Sequence, residues 1–449
     1  MSTIVAISTP RGRGALGIVR LSGPDALSLT SRIIEGPLEV EARRTTLHNL
    51  RDPHRQETID QALVTFFRAP HSLTGEDVVE ISCHGSPVVL RRIVDLTLSF
   101  GARLAGPGEF TLRALSNGKL NLAQAEAIRD LISSQTEAAA QQAVRQLKGE
   151  LAAALAPLKK KLVDVIVLLE SALEFVEDDL PAPQGEDIER TLDLLRGGIE
   201  KLASSYRAGH LLQDGISVAI VGSPNVGKSS LFNKILERER AIVTDVPGTT
   251  RDTLCEPVDI GGVPVLLTDT AGLRETANGI ESLGIERTHR AMNDADLVVV
   301  VLDGSVQLTP GDLTILDSTQ NTRRIVVRNK CDRSSFRMSG DEAWEQSSIN
   351  VSALNGTGLD NLKTAILSSF DLTTLDSESL LVTNARHHDL LRQAQTELRS
   401  SQGLMQDHVS EELVLVPLHN ALRFLGEITG ETTTEHILSQ IFATFCIGK

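Results

Sequence analysis

The residues Gly222-Ser223-Pro224-Asn225-Val226-Gly227-Lys228-Ser229-Ser230 fit G-x-x-x-x-G-K-[ST], the spacing of a phosphate-binding P-loop. Just before them, Ile216-Ser217-Val218-Ala219-Ile220-Val221 reads as a buried parallel strand. Just after them, Leu231-Phe232-Asn233-Lys234-Ile235-Leu236 continues a helix. Strand, glycine-rich turn and helix in this order are the setting the motif needs. Glycine lets backbone N–H groups close around phosphate oxygens, and the helix N-terminus adds positive field. Lys228 is expected to reach the β- and γ-phosphates, and Ser229 to place its hydroxyl on Mg²⁺. Asn225, Val226, Gly227 and Ser230 complete the expected contacts of this loop.

Three further motifs follow, each at a predicted strand end. Asp269-Thr270-Ala271-Gly272 closes the strand 263–268. Its acid can hold Mg²⁺ through water, and its glycine lets an N–H approach the γ-phosphate. Asn329-Lys330-Cys331-Asp332 follows the strand 325–327. A carboxylate at Asp332 accepts from both the N1–H and the amino group of guanine. Adenine lacks that donor pair and would leave the acid unpaired. Ser352-Ala353-Leu354, after 349–351, fits the loop that completes the base pocket. Each motif alone is weak; in this order they point to GTP over ATP. Between them, Thr244-Asp245-Val246-Pro247-Gly248-Thr249-Thr250 reads as a switch loop, with Thr250 as the second hydroxyl on Mg²⁺. The residue after D-x-x-G is Leu273, where common switch GTPases carry a water-orienting Gln. Leucine can neither donate nor accept, so the attacking water must be held otherwise. Arg274, Glu275 and Glu281 lie just downstream.

A chain of 449 residues is long for one core, so two to three domains are expected. One Tyr and one Trp offer no aromatic platform for stacked bases. The four cysteines, Cys83, Cys255, Cys331 and Cys446, lack C-x-x-C spacing. They point to a reducing cytoplasm and away from a disulfide frame or structural zinc. The start lacks the basic and apolar regions of a signal peptide, and no run approaches a membrane span. Net charge is −15, which excludes strong generic affinity for nucleic acid. The charge is uneven: residues 1–118 hold 13 Arg and no Lys against 12 acidic residues. Any bound RNA should therefore meet a local patch.

The pattern predicts a multidomain α+β chain. Residues 1–118 alternate short strands (3–7, 17–21, 62–67, 77–82) with helices opening near 23–25 and 87, as in a small α/β or α+β domain. From 119 to 213 long helices take over; Leu162, Ile166, Leu169 and Leu173 share one face, flanked by Val163 and Ala172. Residues 214–376 return to strand–helix alternation, with strands near 216–221, 253–259, 263–268, 297–302, 325–328 and 349–351. From 377 to 449 the pattern is helical again. The simplest organisation is a split helical domain with a Ras-like P-loop α/β G domain inserted into it.

The P-loop, Thr249-Thr250-Arg251-Asp252, Asp269-Thr270-Ala271-Gly272-Leu273-Arg274, Asn329-Lys330-Cys331-Asp332, Arg20-Leu21-Ser22-Gly23 and the ending Phe445-Cys446-Ile447-Gly448-Lys449 together resemble the MnmE (TrmE) family. These are bacterial and organellar tRNA-modification GTPases, and the resemblance runs end to end. It implies an N-terminal domain that dimerises and binds 5-formyl- or methylene-tetrahydrofolate. It also implies a homodimer working with the FAD-dependent partner MnmG (GidA). Together they add an aminomethyl or carboxymethylaminomethyl group to the wobble uridine of certain tRNAs. GTP hydrolysis in the family is K⁺-stimulated and needs two G domains face to face. The matching positions for K⁺ are Asn225, Thr244, Val246 through its carbonyl, and Thr249; the matching water-positioning carboxylate is Glu281. The matching folate contacts are Arg20, Glu80, Lys119 and Lys449, with Cys446 a possible reactive thiol. Two other readings stand beside this one: a ribosome-assembly or regulatory switch GTPase without modification chemistry, and a folate enzyme whose G domain is a sensor.

Overall fold

The computed structural model describes residues 2–38, 41–174, 185–239, 255–269, 291–336, 347–372 and 379–448. The roles expected of Thr244, Asp245, Val246, Pro247, Gly248, Thr249, Thr250, Thr270, Ala271, Gly272, Glu281 and Lys449 lie outside the described residues. The chain divides into two compact units: Met1–Arg129 with Leu147–Ala152 and Gly426–Lys449, and Asp130–Gln146 with Ala153–Leu425.

The first unit is built on six strands: β1 (Ile4–Ile7), β2 (Gly14–Ser22), β3 (Thr45–Asp52), β4 (Glu57–Phe67), β5 (Val78–Gly85) and β6 (Arg103–Leu104). They lie in the order β3-β4-β5-β2-β1-β6. Every pairing is antiparallel except β1 with β6. Of the two organisations open to the sequence, this is the α+β one. Alternate strand residues such as Val19, Leu21, Val64 and Ile81 face the helices Ala26–Ser31 and Pro87–Ser99 in one core. Gly17 permits that closeness, since a Cβ there would stand 2.7 Å from the Leu90 side chain. Pro87 sits in the first turn of its helix, where a missing N–H costs nothing. The chain end returns to this unit. Phe442 and Phe445 pack on Leu122 and Ala125, and Ile447 bridges to Pro107. Each buried Phe contributes roughly 1.5–3 kcal/mol, which holds the last residues against the helix Leu122–Ser133.

The second unit carries β7 (Ile216–Val221), β8 (Cys255–Ile260), β9 (Val263–Asp269), β10 (Leu297–Asp303), β11 (Arg324–Asn329) and β12 (Ile349–Asn350). Their order is β12-β11-β10-β7-β9-β8. All pairings are parallel except β8 with β9. The central strands are apolar at consecutive positions because both faces are covered. Val218, Ile220, Val299 and Val301 enter one core; Ala219, Val221, Val298 and Val300 enter the other. The helix Pro310–Ser318 starts with a complete capping box between Thr309 and Asp312.

Long helices, including Gly185–Ser204 and Ala385–Gln406 and most of Glu150–Glu174 and Glu411–Thr429, make up the rest of this unit. Leu162, Ile166 and Leu169 are buried while Val163 is exposed, so the expected stripe is in place. The strand–helix fold is tied to these helices where the chain leaves it. Gln142 Nε2 donates to Ser379 O at 2.9 Å, and its Oε1 accepts from Leu381 N at 3.2 Å. Val382 N donates to Ser205 Oγ at 3.0 Å. Gly209 must be glycine there, because a Cβ would fall 2.3 Å from Val382 O. Among the described residues, no helix is long and apolar enough to cross a membrane.

Candidate nucleotide site

β7 lies between β9 and β10, and the chain goes to opposite sides of it. The carboxyl end of such a strand is a topological switch point, where open parallel sheets bind ligands. The loop 222–227 occupies that position and leads into the helix Lys228–Arg238. Its backbone needs the residues it has. Gly222 has φ 156° and Gly227 φ 97°. A Cβ on Gly222 would stand 2.3 Å from Val301 O, and one on Gly227 2.3 Å from Asn329 Nδ2. Asn225 also takes positive φ, at 63°, which asparagine tolerates better than most residues.

Asn329 is the residue that joins the motifs. Buried at the end of β11, it donates from Nδ2 to Val226 O at 2.9 Å. Its Oδ1 accepts from Ala353 N at 3.0 Å. One side chain thus ties the P-loop to the 352–354 loop. Lys330, with φ 68°, adds a second tie: Nζ donates to Asn225 O at 2.9 Å and meets Asp303 Oδ2 at 2.5 Å. Asp332 is exposed at the mouth, and its Oδ1 accepts from Ser352 Oγ at 2.5 Å. That bond fixes the carboxylate and leaves its other oxygen for a ligand. Ser352 is fully buried, whereas Leu354 is 79% exposed, an apolar side chain at the rim. A cavity of about 440 Å³ lies between these groups, lined among others by Gly227, Ser230, Lys330, Asp332 and Leu354.

At the phosphate end, Lys228 is buried and its Nζ donates to Ser223 O at 2.8 Å, arching over the loop. Ser229 and Ser230 are exposed in the first turn of the helix. Asp269 is wholly buried at the end of β9, in register with Ile220 of β7. A hydroxyl in the first turn of a helix and a buried acid at a strand end are ligand types that suit a hard divalent cation such as Mg²⁺. Of the expected site residues that are described, Gly227, Ser230, Asn329, Lys330, Asp332, Ala353 and Leu354 line the one cavity, and Asn225 and Val226 are tied to it through Lys330 and Asn329.

Sequence reading missed Asp303, Asn233, Lys234, Glu237 and Arg333. Asp303 ends the valine-rich β10; an acid closing a buried strand was the available signal. Burial works against its charge, but Lys330 and Ser305 outweigh that and hold its carboxyl below the ordinary value. The other four line the cavity through helical or loop spacing that no motif marks.

In unit one, Arg20 and Glu80 are cross-strand partners on β2 and β5, joined Nε to Oε1 at 2.9 Å. Arg20 Nη1 also donates to Gly448 O at 3.2 Å, and Ser8 Oγ donates to the same oxygen at 3.0 Å. The chain end is thereby held beside this pair. Lys119 stands apart from it, exposed, with Nζ donating to Pro70 O at 2.6 Å. Cys446 is exposed, so it is not packing filler. Cys83 is buried, and burial pushes its thiol up to about 11.

Family models match nearly the whole chain. Residues 3–119 match the N-terminus of the GTP-binding protein TrmE, and residues 122–446 match the MnmE helical domain. The chain belongs to the MnmE family. Relatives named tRNA modification GTPase MnmE agree. That of Koribacter versatilis is 44% identical over 100% of this chain and 99% of its own. That of Aquifex aeolicus is 43% identical over 99% of each. Among solved structures, the G domain of the T. maritima FeoB iron transporter aligns with 34% of this chain and 98% of its own, at 24% identity and TM-score 0.27. Family membership fits the geometry: a P-loop G domain carried between helices, and an N-terminal α+β unit that receives the chain's last residues.

Proposed function

We propose that this chain hydrolyses GTP to drive modification of the wobble uridine in tRNA, as a cytoplasmic homodimer working with an FAD-dependent partner, MnmG (GidA). The observation that carries the reading is the clasp made by Asn329, which holds the phosphate loop and the base loop in one preassembled crevice with the Asp332 carboxylate fixed at its mouth. Asp332 accepts from the guanine N1–H and amino group. Lys228 exchanges Ser223 O for the β- and γ-phosphate oxygens. Ser229 and Thr250, with Asp269, would hold Mg²⁺, which would neutralise charge building on the phosphate oxygens. Asn225, Thr244, the Val246 carbonyl and Thr249 would hold K⁺, which would supply the positive charge an arginine finger brings. Glu281 positions the attacking water that Leu273 cannot. The switch residues complete the site when two G domains meet.

In unit one, Arg20 and Glu80 offer a donor and an acceptor side by side to the pterin of a formyl- or methylene-tetrahydrofolate. Lys119 and Lys449 supply positive charge for its carboxylates, and Cys446 offers an exposed thiol on the same terminal segment. The test is GTP turnover in K⁺ against Na⁺, with Glu281→Ala alongside. Turnover should fall in Na⁺, and the variant should lose turnover while keeping GTP affinity. Equal rates in both salts would remove the cation from the site; a large loss of affinity would make Glu281 structural.

A further inference from the structure

A chain of net charge −15 has no general attraction for RNA. A tRNA must therefore meet concentrated positive charge somewhere. Residues 1–118 hold 13 Arg and no Lys, and most of these arginines are spoken for. Arg20 binds Glu80, Arg103 and Arg113 share Glu109, and Arg32 stacks on Phe100.

Arg11, Arg13, Arg55 and Arg91 are exposed, and their guanidinium groups have no hydrogen-bond or ion-pair partner among the described residues; of these, Arg55 and Arg91 share a groove. They line one groove of about 660 Å³ between the β3–β4 turn and the helix Pro87–Ser99. Asp52, buried at the end of β3, builds the groove. Its Oδ1 accepts from His54 N at 2.9 Å and Arg55 N at 3.2 Å, which fixes the turn that presents Arg55. Its Oδ2 accepts from Arg92 Nη2 at 3.1 Å, which anchors the helix. Glu57 takes Arg92 as well, at 3.0 Å. Asp52 and Glu57 thus share Arg92. Two guanidinium groups without an ion pair, Arg55 and Arg91, remain in the lining beside the carboxylate of Asp95.

A planar guanidinium presents a fork of donors that matches phosphate oxygens two at a time. Phosphate contacts of this kind position a nucleic acid without reading its bases. They also need no aromatic platform for stacked bases. We propose that this groove grips the phosphodiester backbone of the tRNA substrate through Arg55 and Arg91. The proposal rests on the tRNA reading above and adds the surface that would hold the substrate.

The test is binding of labelled tRNA to the full-length chain by fluorescence anisotropy, repeated from low to moderate salt. The Arg55→Ala/Arg91→Ala double variant should bind about tenfold more weakly, and its log affinity should fall less steeply with log salt, by about 1.5 in slope, for two lost phosphate contacts. GTP turnover without tRNA should be unchanged. Asp95→Asn removes the opposing charge and should strengthen binding about two- to threefold, which separates a charge effect from misfolding. Unchanged affinity and salt slope in the double variant would overturn the proposal. So would parent protein that does not bind tRNA measurably, or arginine variants that lose binding to an acidic protein partner while keeping tRNA. The tRNA reading itself fails separately, through intact wobble modification in cells lacking the chain.

Discussion

Replacing Asn329 by Ala tests whether one buried amide holds the crevice together. The substitution removes the bond to Val226 O and the bond from Ala353 N, and leaves both backbone groups without those partners. Each lost bond costs about 0.5–1.5 kcal/mol net, and a buried group left unsatisfied costs about 1–3 kcal/mol. The sum is about 2–4 kcal/mol, shared between stability of the unit and its hold on nucleotide. Since about 1.4 kcal/mol is tenfold in affinity, guanine nucleotide should bind roughly 30-fold more weakly or worse, unless part of the loss appears as a lower unfolding temperature. Equilibrium titration with a fluorescent GDP analogue and a thermal unfolding scan together account for both shares. Guanine-over-adenine preference should survive, because Asp332 keeps its bond from Ser352. Affinity within threefold of the parent with an unchanged unfolding midpoint would refute the reasoning.

Asp332→Asn turns an acceptor into a donor at the base edge, so xanthine nucleotide should compete with GTP; unchanged selectivity in a competition assay would place the base elsewhere. Cys446 should be alkylated by iodoacetamide at neutral pH while Cys83, buried and raised to about 11, stays intact; peptide mass spectrometry reads both, and fast loss of Cys83 would contradict its burial. Glu109 is opposed by its own burial, yet Arg103, the Gly106 N–H and Arg113 hold its pKa below the ordinary value. Its stabilising share is therefore full above the unfolded pKa and lost as pH falls through the lower folded one. Glu109→Gln should accordingly flatten the acid limb of the stability curve; a parallel curve would mean the ion pairs contribute nothing.

The crevice was legible because its chemistry is written in contiguous motifs at strand ends. Six predicted G-domain strands match β7 to β12 within two or three residues. Other parts were hidden for physical reasons. β3, Thr45–Asp52, alternates polar residues with Leu47 and Leu50. Of the two leucines only Leu50 is buried, and Leu47 is 59% exposed, so the apolar signal was too thin to mark a strand. The seating of Gly448 beside Arg20 depends on contacts more than 400 residues apart in sequence, which no local pattern records. Asn329 was read as part of a base motif. Its second role, donating to Val226 O of the P-loop, exists only once β11 lies near β7 in the folded sheet.

The most direct measurement is the wobble-nucleoside content of tRNA from cells lacking this protein. The modified uridine should be missing, restored by the parent gene, and not restored by an Asp269→Ala version. Full modification in the absence of the protein would contradict the proposed function.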